Sequence, residues 1–190
     1  MIGNALKGSA LLCITAACVL YAARPALAQE VIPAPEPQPS PMAVAQVTFG
    51  DGTYVVVRYS SPRKRGREIF GGLEPYGEVW RLGANEATEM TVTQDVLLGG
   101  TPLPAGTYSL FAIPNEAEWT IIVNSNLGQF GAFSYDEAAD VARIDVPAET
   151  TDAIYEAFTI SLEPNGDETA ASLSMVWDQT RVTLPIESVD

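Results

Sequence analysis

The chain has 190 residues and contains no histidine. Its two cysteines, Cys13 and Cys18, both lie in an apolar N-terminal segment, so the rest of the chain has neither residue. Without them no Ser-His-Asp or Cys-His nucleophilic site can form, and the usual protein ligands of zinc, copper and haem iron are absent. A phosphate-binding loop ending in Gly-Lys-Ser/Thr is missing as well. The sequence therefore predicts no cofactor and no metal site.

Basic residues are also scarce, because 10 Lys and Arg stand against 24 Asp and Glu, for a net charge of −14. A protein of this charge is a poor partner for nucleic acid or for anionic lipid surfaces. Six of the basic residues nevertheless lie between Arg58 and Arg81, where only three acidic residues occur, so this window carries +3. Solubility alone does not require such segregation of charge. The window is therefore the first candidate for a functional region.

The N-terminus is typical of a secretory signal peptide covering residues 1–28. Lys7 precedes an apolar run at residues 10–23, and residues 26–28 form an Ala-x-Ala cleavage pattern. We expect cleavage before Gln29 and a mature protein that is periplasmic or secreted. The run is short for a membrane span, which needs about 20 apolar residues. The alternative is that the segment is retained as an anchor, with the domain on the periplasmic side of the membrane.

After the signal segment the chain divides into a linker and one domain. Residues 29–43 contain five alternating prolines and predict an extended, stiff linker. From residue 44 to residue 187, short segments of alternating or continuous apolar residues are separated by turn residues. We expect about eight strands in an all-β, antiparallel sandwich of immunoglobulin-like or jelly-roll type. The clearest predicted strands are residues 53–59, 90–96, 107–113, 119–124, 154–162, 171–177 and 180–186.

Two of these strands specify which side chains enter the core. The strand at residues 154–162 is expected to direct one face inward, formed by Ile154, Phe158, Ile160 and Leu162. In the strand at residues 171–177, alternate side chains are expected to face the core, and these are Leu173, Met175 and Trp177. The best candidate for a short helix is residues 135–140.

The basic window continues into a glycine-rich stretch, residues 63–88, which is the candidate binding site. Arginine presents a planar fork of donors that matches carboxylates, phosphates and sulfates, and glycines allow the backbone to approach a ligand closely. We expect this stretch to bind a protein partner or a small anionic or polyhydroxylated ligand. The candidate binding residues are Arg63, Arg67, Trp80, Arg81, Asn85, Glu86 and Thr88. The structural alternative is that the arginines satisfy carbonyls of the loop or pair with its acids, as Arg81 with Glu86 or Arg67 with Glu74.

Three functions remain open at this level. The favoured one is a non-enzymatic binding or interaction module that uses residues 63–88. The second is an accessory subunit of a membrane protein complex, held by the retained N-terminal segment. The third is a carbohydrate enzyme, since glycoside hydrolysis needs only two carboxyl groups at a suitable separation, and the loop region offers Glu74, Glu78, Glu86 and Glu89. No catalytic residue is predicted for the favoured function.

Residues 66–88 also carry a long motif, Gly-Arg-x-Ile-Phe-Gly-Gly-Leu-x-Pro-Tyr-Gly-x-Val-Trp-Arg-x-Gly-Ala-Asn-Glu-Ala-Thr. With supporting matches at residues 103–110, 118–121, 177 and 181–182, it resembles the bacterial family called domain of unknown function 2911. The resemblance implies an exported β-rich domain and supplies no activity. The chain departs from that pattern at Leu82, where a small polar residue is typical. It departs again at Phe130 and Phe133, where larger or hydroxylated aromatics are typical. We expect these departures to make a pocket here less polar.

Overall fold

A computed structural model describes residues 38–166 and 168–189. The predicted signal peptide and most of the predicted linker therefore lie outside the described residues. In the part of the chain that the structure describes, no helix is long and apolar enough to cross a membrane.

The domain is all-β, as predicted, and its regular elements are nine strands and one short 3₁₀ helix. In chain order they are β1 (Met42–Thr48), β2 (Tyr54–Ser60), β3 (Thr88–Val92), β4 (Val96–Leu98), β5 (Thr101–Leu103), β6 (Gly106–Ile113), β7 (Glu118–Asn124), the 3₁₀ helix η1 (Glu137–Ala139), β8 (Asp140–Pro164) and β9 (Ala170–Ser188). The Gly99-Gly100 pair turns the chain between β4 and β5, and both glycines have positive φ angles, of 56° and 76°. Glycine adopts this conformation without steric cost.

The strands are antiparallel and form one open sheet in the order β1-β2-β3-β6-β7-β8-β9-β4-β5. The sheet bends into two layers because β8 changes partner along its length. Its first part, up to Pro147, pairs with β7, and from Ala148 onward it pairs with β9. The fold is therefore sandwich-like, with the core between the two layers.

Both layers contribute large apolar side chains to one continuous core. Fully buried examples are Met90, Leu110, Trp119 and Ile121 from the first layer and Phe158, Leu173, Met175 and Trp177 from the second. The predicted inner faces are thus correct with one exception. Ile154 was expected inside but is 62% exposed, because the β8–β9 register shifts on both sides of Tyr155 and changes which side chains face inward.

The last strand is longer than predicted, since residues 171–177 and 180–186 belong to the single strand β9. Leu173 and Trp177 are buried at odd positions, whereas Val182 and Leu184 are buried at even positions. The phase changes at Asp178, whose φ angle of 55° lies in the left-handed region. Because the alternation of apolar residues is interrupted at this point, the sequence pattern predicts two separate strands.

Between β2 and β3 lies the longest irregular segment of the described domain, residues 61–87, which we call the connecting loop. It is attached to both layers. Near its start, the Phe158 amide in β8 donates to the Pro62 carbonyl at 2.8 Å. Near its end, Trp80 and Ala112 of β6 exchange two backbone hydrogen bonds, at 2.7 and 2.8 Å. The candidate binding residues are thus carried on a loop that is fixed to both layers.

Candidate functional site

Trp80 anchors the connecting loop in the core. Its side chain is 3% exposed, and its indole N–H donates to the Gly83 carbonyl at 3.0 Å. The ring stacks on Trp177 with centroids 5.9 Å apart and an interplanar angle of 22°. It also meets Trp119 and Phe158 edge to face. Trp80 is therefore a packing residue whose position fixes the loop above it.

Thr88 fixes the turn that follows Trp80. Leu82 is fully buried and has a φ angle of 52°, which is unusual for a bulky residue. The Thr88 hydroxyl donates to the Leu82 carbonyl at 2.5 Å, and the Thr88 amide donates to the Arg81 carbonyl at 3.2 Å. Thr88 is itself fully buried. These bonds hold Arg81 in place, because they tie its own carbonyl and the carbonyl of the next residue to Thr88, the first residue of β3.

Above this turn the loop borders a concave pocket of about 310 Å³, which we call the arginine pocket. Four arginines and one acidic residue line it, and Trp177 reaches it from β9. The segment before β1 contributes Pro39 and Ser40. The lining residues that carry the chemistry are Arg63, Arg65, Arg67, Arg81, Glu74 and Asn85.

The four guanidinium groups divide into two pairs. Arg67 is used by the loop itself, because its side chain donates to the carbonyls of Lys64 and Arg63 at 3.0 and 2.6 Å. Arg65 donates to the Pro39 carbonyl at 3.2 Å. Arg63 and Arg81, by contrast, donate no side-chain hydrogen bond to any described residue, and the Nε of Arg81 is buried without a partner. The alternative role, in which an arginine satisfies carbonyls of the loop, thus applies to Arg67, whereas Arg65 satisfies a carbonyl of the segment before β1.

The predicted ion pairs within the loop do not form. Among residues 38–166 and 168–189, neither Arg81 with Glu86 nor Arg67 with Glu74 lies within the 4.0 Å that defines an ion pair. Lys64 instead pairs with Asp178, at the point where β9 changes phase. The loop is therefore held by backbone contacts, side-chain hydrogen bonds, aromatic packing and this one ion pair, and the two unpaired arginines are not needed to hold it.

Glu74 is the one acidic residue among the described residues that line the pocket. Burial raises the pKa of its carboxyl to about 7, and the positive charges of Arg81 and Arg67 only partly oppose that shift. Its carboxyl group makes no hydrogen bond to the described part of the protein, although its backbone is fixed by bonds to Ile69 and Gly71 at 2.9 Å. The pocket therefore contains a carboxyl group that changes charge near neutral pH.

Asn85 connects the pocket to the segment before β1. Its side-chain amide donates to the Ser40 carbonyl at 3.4 Å and to the Ser60 hydroxyl at 3.3 Å. Its φ angle of 59° lies in the left-handed region, which asparagine tolerates better than most residues. Asn85 thus positions the segment that leads from the linker across the pocket.

The structure brings four of the seven predicted binding residues together in the pocket: Arg63, Arg67, Arg81 and Asn85. Trp80 and Thr88 lie beneath it, buried in the core. Glu86 is exposed, forms a β-bridge with Phe130, and lines a separate pocket of about 280 Å³.

The sequence-based prediction omitted Arg65, Glu74 and Trp177, which also line the arginine pocket. Arg65 and Glu74 lie inside the predicted stretch and carry the charges that its composition already indicated. Trp177 is distant in sequence, and no local signal places it at this loop.

The departures from the family pattern do not alter this pocket. Leu82 is fully buried and faces the core, and Phe130 and Phe133 are 64% and 87% exposed. None of the three lines the arginine pocket. The expectation that they make the pocket less polar is therefore wrong, because their side chains lie elsewhere. In the described part of the chain, no three His, Cys, Asp or Glu side chains are arranged to hold a metal ion.

The comparisons with known proteins identify a family and nothing beyond it. The sequence model of the family described as "Protein of unknown function (DUF2911)" matches residues 40–186. Comparison with curated proteins finds no match, and comparison with solved structures finds none either. The family match covers most of the chain and confirms the resemblance seen at residues 66–88. The chain therefore belongs to the DUF2911 family of proteins of unknown function.

Proposed function

We propose that this domain is a non-enzymatic binding module that holds a small oxyanion in the arginine pocket. The proposal rests on Arg81, because its guanidinium group lines the pocket and donates no hydrogen bond to any described residue, and its Nε is buried without a partner. A buried polar group without a partner costs about 1–3 kcal/mol, and more when the group is charged. An oxyanion in the pocket, between Arg81 and Arg63, would give these two unpaired guanidinium groups an acceptor.

The form of the site supports a small anion over other ligands. The guanidinium group binds a carboxylate, phosphate or sulfate through two parallel hydrogen bonds. A pocket of about 310 Å³ is at the small end of the range for ligand sites. The pocket collects positive charge on a protein of net charge −14, so that an anion gains most from this one part of the surface.

The loop is also preorganised for binding. Trp80 and Thr88 fix the backbone around Arg81, and the Lys64–Asp178 ion pair fixes the part of the loop next to Arg63. Binding to a site that is already ordered avoids the entropy cost of ordering it. The buried residues of the predicted site thus support the proposal by holding the arginines.

The proposal includes an extracytoplasmic location. The charged start, apolar run and Ala-x-Ala pattern of residues 1–28 support export, and the prolines of residues 29–43 support a spacer between that segment and the domain. The retained anchor is the alternative, in which the same pocket would face the periplasm from the membrane surface.

Isothermal titration calorimetry with sodium sulfate, phosphate and acetate, at constant ionic strength in chloride, tests the proposal. We expect at least one of these oxyanions to bind, and Arg81→Ala and Arg63→Ala each to weaken it by about tenfold or more, as for hydrogen bonds to charged groups. Arg58→Ala is the matched control, because Arg58 is exposed on β2 and lines the other pocket. If none of the three anions binds, or if all three variants weaken binding equally, the arginine pocket is not the site.

A further inference from the structure

The proposed function leaves one feature of the arginine pocket unexplained, namely a carboxyl group facing the anion site. Glu74 lines the same cavity as Arg63 and Arg81 and is partly buried there. A carboxylate at this position would repel an entering oxyanion and compete with it for the same guanidinium groups. A site built only to attract anions would not contain it.

The surrounding charges single out Glu74. Arg63, Arg65, Arg67 and Arg81 come from the connecting loop itself, and arginine stays protonated in proteins. From β9, Asp178 is occupied by its ion pair with Lys64. From β8, the carboxylate of Glu156 accepts a hydrogen bond from the Arg65 amide at 2.9 Å. The segment before β1 contributes Pro39 and Ser40, which carry no charge. Glu74 is thus the acid at this site whose carboxyl has no partner among the described residues.

Protonation changes what this carboxyl does to a ligand. Neutral Glu74 no longer repels an oxyanion and offers an O–H donor in addition to the guanidinium donors. Since burial has already raised the pKa of Glu74 to about 7, little free energy is needed to add the proton near neutral pH. A bound anion favours the neutral form further, because two like charges in one site disfavour ionisation.

We propose that anion binding in the arginine pocket is coupled to the uptake of one proton by Glu74. This inference rests on the proposed function, since it concerns the same pocket and the same ligand. The pocket then releases its anion when the pH rises, and binding of the anion draws a proton from solution. By reciprocity of linkage, each of the two ligands strengthens binding of the other by the same factor.

The test is calorimetric titration of the purified protein with sulfate, which stays fully ionised across the range used, whereas phosphate titrates within it. With a pKa of about 7, the protonated fraction of Glu74 falls about tenfold between about pH 6 and about pH 8. We therefore expect sulfate affinity to fall about tenfold over this interval. Repeating the titration at about pH 8 in two buffers of different ionisation enthalpy is expected to give an uptake of nearly one proton for each sulfate bound.

Glu74→Gln provides the second arm, because glutamine imitates the neutral carboxyl in size and hydrogen bonding. We expect this variant to bind sulfate with an affinity that no longer changes between the two pH values and to take up no proton. Glu78→Gln, an exposed acid of the same loop, is the matched control and should keep the dependence of the wild type.

The outcomes separate the two proposals. Sulfate binding that is equally tight at both pH values, or proton uptake that persists in Glu74→Gln, would overturn the coupling while leaving the binding function in place. Loss of binding in Glu74→Gln at both pH values would also overturn it, since Glu74 would then be needed for another reason. Failure of the wild type to bind sulfate, phosphate or acetate at either pH value would remove the proposed function itself.

Discussion

Replacing Thr88 by valine distinguishes two possible roles of this residue, namely fixing the loop and contacting the ligand. Thr88 is a predicted binding residue, yet its hydroxyl is buried and donates to the Leu82 carbonyl at 2.5 Å. Valine has nearly the same shape but no donor, so the substitution leaves that buried carbonyl without its partner. An unsatisfied buried group costs about 1–3 kcal/mol, and burying a methyl group in its place offsets less than about 1 kcal/mol. We expect the free energy of unfolding to fall by about 1–2 kcal/mol. For a domain of this size, that corresponds to a melting temperature about 2–8 °C lower.

Urea unfolding at constant pH measures this change, and sulfate titration of the same variant measures binding. We expect Thr88→Val to retain sulfate affinity within about threefold, because the bond from the backbone amide of residue 88 to the Arg81 carbonyl is kept and the side chain is buried beneath the pocket. Thr48→Val is the control: Thr48 is exposed on the edge strand β1, and its substitution is expected to change stability by less than about 0.5 kcal/mol. Unchanged stability of Thr88→Val would refute the anchoring role. Lost affinity at full stability would restore Thr88 as a ligand contact.

Further predictions concern stability, packing and processing. The folded state raises the pKa of Glu74 from an ordinary 4.5 to about 7, so wild-type stability is expected to decline as pH rises through that interval. In oxyanion-free buffer, the melting temperature of Glu74→Gln should therefore exceed that of the wild type at about pH 8 but not at about pH 5. An equal increase in melting temperature at both pH values would contradict this prediction. A Cβ at Gly83 would lie 2.9 Å from the Ser60 carbonyl oxygen. Gly83→Ala should therefore lower the free energy of unfolding in urea by about 1–3 kcal/mol. An unchanged free energy of unfolding would show that the loop can shift to accommodate the methyl group. Intact mass of the native protein should give a chain beginning at Gln29 in the soluble fraction, whereas full-length protein in membranes would establish the anchor.

The strands were largely predictable, because alternation of apolar residues is a local signal. That signal fails where the backbone changes phase. Ile154 lies beside the β8 irregularity and points outward, and Asp178 shifts the inner face of β9 by one position. Both changes arise from register between distant strands, which single-strand periodicity does not contain. The sequence therefore predicted which segments are strands better than where the long ones begin and end.

The candidate site was predictable as a region but not in its division of roles. Composition alone showed that arginines collect between residues 58 and 81. Whether a guanidinium satisfies a loop carbonyl, as Arg67 does, or stays unpaired, as Arg81 does, depends on how the loop folds back on itself. The contribution of Trp177 depends on tertiary packing as well, because β9 reaches the loop only in the folded domain. These features require the three-dimensional structure.

The aromatic cluster beneath the arginine pocket has a spectroscopic consequence. The chain contains three tryptophans, Trp80, Trp119 and Trp177, and all of them meet there. Their ring centroids lie within 6 Å of the central Trp80, and each side chain is at least 97% shielded from water. The emission of these tryptophans therefore originates at a single location beneath the arginine pocket, which Trp177 also lines. Tryptophan fluorescence therefore reports on this site, and binding of a ligand in the pocket can be followed without a label.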